Sequence, residues 1–226
     1  MDSLVNSADN LGELRRRVSS QVGTALHRAA AQGFLGSMPI SEQIDHALGF
    51  VFAAEYALKR HPTSVVDLGT GGGIPGLVLL SCWPDCRAML LDATERRTEF
   101  LAKETAHWNR TGAIEVVRGR AEEIARDASF RQRFDLVASR SFGVPAVTAE
   151  CGAPLLALGG LLVVSEPPSQ HGPARWPDDG LADLGLRRSI EVRFENRFGY
   201  QVLLKSAPTN DRYPRRVGIP VKRPLF

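Results

Sequence analysis

The sequence predicts an α/β fold in which a mostly parallel sheet, wound with helices on both faces, finishes in an antiparallel hairpin at one edge. Three observations carry this. From residue 64 onward short apolar runs alternate with helical segments of about eight to fourteen residues, the pattern of strand, crossover and strand. A glycine-rich break, VVDLGTGGGIPGLVLL (65–80), follows the first run and leads straight into an apolar helix. The last two runs, RRSIEVRF (187–194) and GYQVLLK (199–205), lie too close together for a crossover, and NRFG between them reads as a hairpin turn.

Taken in order, residues 1–62 read as helical. LGELRRRVSSQVGTALHRAA (11–30) is amphipathic, residues 33–39 break it, and SEQIDHALGFVFAAEYALKR (41–60) resumes with Ser41 as its N-cap. The strands that follow are SVVDL (64–68), RAMLLD (87–92), AIEVV (113–117), FDLVAS (134–139) and GLLVVS (160–165), then the two runs of the hairpin. The chain thus divides into an N-terminal helical extension (1–62), a sheet domain (63–207) and a basic tail (208–226).

Composition bounds the function. With 226 residues, 43% hydrophobic and 23% charged, the chain can bury one sizeable core. No apolar stretch approaches the roughly 20 residues that span a bilayer, and no basic flank with an apolar core opens the chain, so a cytoplasmic protein is expected. Cys82, Cys86 and Cys151 are too few for a disulfide framework and lack the spacing of a zinc site. The histidines at 27, 46, 61, 107 and 171 form no ligand cluster, so neither a metal nor an acid–base role is expected of them. Net charge is +3, yet residues 212–226 carry five cations and no acid, leaving −2 for everything before them. That asymmetry favours a polyanionic partner.

The glycine loop sets the chemistry. In an open parallel sheet, ligands sit beyond the carboxyl ends of the strands where strand order reverses, and the first strand-to-helix turn frames that site. Gly69, Gly71, Gly72 and Gly73 can take positive φ and admit a ligand against the backbone, and Pro75 suits the start of the next helix. Gly71, Gly73 and Gly76 also fit a dinucleotide fingerprint by count. Against it, Asp67 sets a negative charge where a pyrophosphate would lie, and Pro75 enters the helix start whose donors it would need. S-adenosylmethionine, with an ammonium, a sulfonium and no phosphate, is the better ligand. A parallel sheet ending in an antiparallel edge hairpin is likewise the shape of the class I methyltransferases, Rossmann-like with seven strands. Asp92, 25 residues after Asp67 at the end of the second strand, is placed for the ribose hydroxyls. Ala121 and Glu122, after the third strand, flank the expected adenine. Arg140, ending the fourth, lies over the reaction centre as a clamp for an anionic substrate. In the tail, Tyr213 among Arg215, Arg216 and Lys222 offers a face for stacking a base and cations for its phosphates.

VVDLGTGGGIPGLVLL, LLDATERRTEFL, RGRAEEI, FDLVASRSF, GAPLLALGGLLVV and RYPRRVGIPVKRPL stand in the same order as in the glucose-inhibited division protein B family, which the chain resembles over residues 64–165 and the tail. The resemblance implies an S-adenosylmethionine-dependent methyltransferase acting on guanine N7 in small-subunit (16S) ribosomal RNA, with that RNA or the small ribosomal subunit as partner. It also implies that Gly69, Ile74, Ala121, Glu122 and Arg140 fall on cofactor-contact positions. Where family members usually carry lysine-glycine after the fifth strand, this chain has Glu166 and Pro167, which reverses the charge there. GFLGS and HALGF replace the family's asparagine-leucine-threonine stretch and its histidine-isoleucine-leucine-aspartate-serine run, keeping only His46. These departures leave a second reading open, a small-molecule methyltransferase derived from the family with a rebuilt substrate side.

Overall fold

Every apolar run read as a strand after residue 63 is a strand in the computed structural model, which describes the backbone of residues 3–7 and, in full, residues 10–108, 110–167 and 175–226. The strands are β1 (Ser3–Ser7), β2 (Ser64–Leu68), β3 (Arg87–Asp92), β4 (Ile114–Arg118), β5 (Phe134–Ser139), β6 (Leu156–Glu166), β7 (Leu186–Phe194) and β8 (Phe198–Lys205). They form one sheet in the order β1-β7-β8-β6-β5-β2-β3-β4. Only β8 runs antiparallel to its neighbours β6 and β7. β2 and β5 sit side by side at the centre, and from them the chain winds outward in both directions, so the crevice of strand-order reversal lies beyond their carboxyl ends.

β1 corrects the reading of residues 1–62 as wholly helical. It pairs in parallel with β7, from Ser3 opposite Ile190 to Ser7 opposite Phe194, and adds an eighth strand to the expected seven. Helices α1 (Leu11–Arg16), α2 (Ser20–Ala31) and α3 (Ile40–Leu58) then follow. The break between α1 and α2 is a long-range effect. Arg17 forks onto Glu55 and reaches the carbonyl of Cys82 at 2.9 Å, while the Ser81 hydroxyl donates to the Arg17 carbonyl at 3.0 Å and accepts from the Ser19 N–H at 2.8 Å. α3 begins one residue before Ser41, after Pro39, and no side-chain cap bond closes it. Gln43 sets its entry instead, donating to the carbonyls of Met38 (2.8 Å) and Gly36 (3.3 Å).

α3 lies across one face of the sheet, burying Leu48, Phe50 and Val51 in a core that includes Leu136, Leu161, Val163 and Tyr200. α4 (Gly76–Cys82) joins the same core. The N-terminal helices therefore share the core of the sheet. The other face is covered by α6 (Ala121–Ile124), α7 (Pro145–Gly152) and α8 (Asp178–Ala182) over Val137, Leu155, Trp176 and Leu203. α5 (Glu95–Thr105) follows β3, and α9 (Ile219–Lys222) lies in the tail.

The tail is built into the body, which corrects the roles expected of Tyr213 and Arg215. Tyr213 is 4% exposed within the second core, and Arg212 stands over its ring at 4.7 Å, so no face is left for a base. Its carbonyl accepts from Arg131 at 2.9 Å, and that of Pro214 accepts from Arg126 at 2.6 Å. Arg215 forks onto the fully buried Glu150, with Nε to Oε1 at 2.9 Å and Nη2 to Oε2 at 2.7 Å, and its own N–H donates to the same carboxylate at 2.7 Å. Leu225 and Phe226 pack against the second core. Arg216 and Lys222 remain exposed. Among the described residues no helix is long and apolar enough to cross a membrane.

Removing one partner of a buried ion pair strands the other's charge. Arg215→Ala should therefore lower the free energy of unfolding by about 3 kcal/mol. Arg216→Ala, next door and exposed, should change it by less than about 0.5 kcal/mol. Urea unfolding of the two variants checks this, and equal effects would contradict the assignment of Arg215 to the fold.

Candidate active site

β2 ends on Asp67, and this carboxylate shapes the loop after it. Its Oδ2 accepts the Thr70 hydroxyl at 2.6 Å and the Gly76 N–H, at the start of α4, at 2.8 Å. Position 76 requires glycine, because a Cβ there would stand 2.6 Å from Leu90 Cδ2 and 2.5 Å from Asp67 Oδ2. Burial pushes the Asp67 carboxyl up to about 6, against the hydrogen bonds from Thr70 and Gly76 and the nearby Arg140 charge. At 1% exposure Asp67 lies beneath the loop, with its Oδ1 left without a partner among the described residues.

Gly69 (φ +74°), Gly71 (+57°) and Gly73 (+99°) take the left-handed conformation that glycine alone adopts freely. Their surroundings differ. A Cβ on Gly69 would meet the Phe142 ring at 2.6 Å, whereas one on Gly71 would have open space, its nearest neighbour being the Gly69 carbonyl oxygen at 3.9 Å. Gly73 corrects the expectation of ligand approach: it is buried against Leu77 and Leu101, at 2.7 and 3.0 Å from a would-be Cβ. Ile74 is likewise a core residue, 6% exposed, and lines neither cavity described below.

Two cavities open beyond the strand ends. The larger, about 560 Å³, is lined by Gly69, Asp92, Ala121 and Glu122, together with Val221 and Pro224 of the tail. The smaller, about 370 Å³, is lined by His46, Arg140, Thr148, Glu166, Arg175 and Trp176. Ser141, Phe142 and Gly143 form a wall common to both. Arg140 thus stands on the smaller cavity, its Nη1 donating to Gln43 Oε1 at 3.3 Å.

Asp92 and Glu122 line the larger cavity and also hold backbone. Asp92 accepts the N–H groups of Thr94 at 2.8 Å and Gly71 at 2.9 Å, and Arg97 stands 3.5 Å away. Glu122 accepts the Gly218 N–H at 3.0 Å and pairs with Arg120 at 3.6 Å. Glu166 does not present the reversed charge expected of it. Arg175 Nε donates to its Oε2 at 2.6 Å and Trp176 Nε1 to its Oε1 at 3.0 Å, so the wall it forms carries a compensating cation.

His46 is absent from the site residues expected from the sequence, and its retention from the family's histidine-isoleucine-leucine-aspartate-serine run is the signal for it. It lies edge-on to Phe50 and Phe198, on the smaller cavity. Burial first, and Arg140 second, push its pKa down to about 3. It is a neutral imidazole at physiological pH. His171 lies outside the described residues. Among the described residues no cluster of His, Cys, Asp or Glu could hold a metal.

The donor set fits S-adenosylmethionine. Asp67 Oδ1 and Ser139 Oγ, at the ends of the two central strands, are buried polar atoms without a partner among the described residues. An ammonium group complements such a carboxylate oxygen, and the larger cavity, which Gly69 of the same loop lines, has the strand-end acid Asp92 and the apolar walls an adenosyl group needs.

A buried neutral histidine gives stability that is full above its unfolded pKa of 6.5 and is lost as pH falls towards 3. Asp67, with its pKa raised, acts oppositely, favouring the fold as pH falls through about 6. His46→Phe removes only the first contribution. Between pH 6.5 and 5 the natural protein should therefore lose roughly 2 kcal/mol more stability than this variant, measured by urea unfolding at each pH.

Residues 38–168 match the family described as rRNA small subunit methyltransferase G. Over 195 residues the chain is 32% identical to the ribosomal RNA small subunit methyltransferase G of Rubrobacter xylanophilus, covering 83% of this chain and 74% of that protein. Its counterpart in Moorella thermoacetica is 36% identical over 175 residues, covering 75% and 72%. In fold, the chain is similar to an O-methyltransferase from Bacillus cereus in complex with SAH, with a TM-score of 0.55 at 12% identity, covering 82% of this chain and 90% of that one. A match across the glycine loop, both strand-end acids and the Arg140 edge, with relatives aligned over most of their own length, leaves one conclusion: the chain belongs to the rRNA small subunit methyltransferase G family.

Proposed function

We propose that this protein is an S-adenosylmethionine-dependent methyltransferase that methylates N7 of a guanine in small-subunit ribosomal RNA. The observation that carries the reading is the pair of cavities meeting at one wall over the strand-order reversal, one suited to an adenosyl ligand and the other to a planar acceptor. S-adenosylmethionine supplies an electrophilic methyl group on a sulfonium.

On the cofactor side, Asp92 accepts the ribose hydroxyls, Ala121 and Glu122 flank the adenine, and Gly69 and Gly71 admit the ligand to the backbone. On the acceptor side no general base is needed, because guanine N7 already offers a lone pair; the residues must align the atoms and exclude water. A neutral His46 suits this task, since it adds no cation beside a base that becomes positive. Arg140, on the smaller cavity, holds an RNA phosphate or guanine O6. Arg216 and Lys222, both exposed, meet RNA phosphates outside the cavities. The charge of Glu166 argued for a small-molecule acceptor, and its pairing with Arg175 and Trp176 removes that argument.

Mass spectrometry of nucleosides from small-subunit RNA should show 7-methylguanosine with the gene and less of it without; unchanged amounts would sink the assignment. Asp92→Ala should weaken S-adenosylhomocysteine binding by about 1–3 kcal/mol. Arg140→Ala should instead lower single-turnover methylation of the RNA while leaving that affinity nearly unchanged.

A further inference from the structure

The cofactor cavity has a wall that its strand-end residues do not supply. Val221 and Pro224, from the tail, line it together with Asp92 and Ala121. The segment carrying them is held at both ends. Upstream, Arg215 is fixed to Glu150 and also donates through Nη2 to the carbonyl of Arg223 at 2.7 Å. Downstream, Leu225 and Phe226 pack into the second core, where a side chain at Gly180 would strike the Phe226 ring. Between these anchors Gly218, with φ +78°, turns the chain into α9, and its N–H is held by Glu122. Glu122 is therefore both a cavity residue and the latch of the tail. Val221 is 61% exposed at the cavity rim, an apolar side chain whose surface a ligand in the cavity would cover.

We propose that residues 218–224 form the outer wall of the adenosine site, with Val221 as a direct cofactor contact. This rests on the function proposed above. It reverses the simplest idea of a basic tail, that it serves RNA alone and can be lost without affecting the cofactor. A ligand that covers Val221 stabilises the segment, and by linkage whatever stabilises the segment strengthens cofactor binding. Lys222, the neighbour of Val221, is exposed, so RNA phosphates on it act on the same segment.

The test is calorimetric titration of the full chain with S-adenosylhomocysteine, alongside Val221→Asp and Leu158→Asp. Leu158 is an equally exposed apolar residue on β6 that lines neither cavity. Val221→Asp should weaken binding roughly five- to twenty-fold through lost apolar contact and a desolvated charge, at an unchanged melting temperature, whereas Leu158→Asp should leave it unaltered. Hydrogen exchange should show residues 218–224 protected by the ligand. If the natural chain binds the ligand but Val221→Asp binds equally well and 218–224 gain no protection, the wall is wrong and the cofactor reading stands. If the natural chain does not bind at all, both fall.

Discussion

The carboxylate of Asp67 is the constraint on which the site depends. A single buried oxygen receives the Thr70 hydroxyl and the first N–H of α4, so the end of the central strand, the glycine loop and the helix after it are fixed to one atom. Asp92 takes the loop from the neighbouring strand through the Gly71 N–H. Two acids on adjacent strand ends thus hold one loop from below and from the side. A buried carboxylate is costly to desolvate unless donors surround it, and here the loop itself is the source of those donors. Folding the loop supplies both donors to Oδ2 and leaves Oδ1 buried without a partner among the described residues.

Much of this was readable from residue order because buried parallel strands are continuous apolar runs, and their carboxyl ends are where polar residues reappear. SVVDL, RAMLLD and FDLVAS gave β2, β3 and β5 with their ends in place, and with them Asp67, Asp92 and Arg140. The misses share one cause, namely partners distant in the chain. Gly73 and Ile74 look like ligand residues until Leu77 and Leu101 close around the first and the core around the second. The interruption at Arg17 is invisible without Glu55, and the basic tail looks free without Glu150 and the arginines at 126 and 131.

Those arginines also change what the net charge means. Arg17, Arg126, Arg131 and Arg215 reach carboxylates or carbonyls within the fold, so a count of cations overstates the charge offered to a partner. Planar guanidinium groups suit this work because one group can satisfy several acceptors at fixed angles. Arg131 alone reaches the carbonyls of Ala125, Thr209, Asn210 and Tyr213. Arg97 and Arg120 line the larger cavity, each beside an acid, whereas Arg216 and Lys222 stay exposed on the tail.

The pairing of β1 with β7 has a bearing on how the molecule is made. β1 completes the sheet only beside a strand that begins at Leu186, so on the ribosome it must wait for β7 to emerge. Until the two pair, the nine-residue β7 would expose a row of unpaired backbone groups, a template for joining another chain. Docking of the five-residue β1 replaces that long edge with a short one, so that a strand made well before its partner acts after it, as a closing guard against self-association.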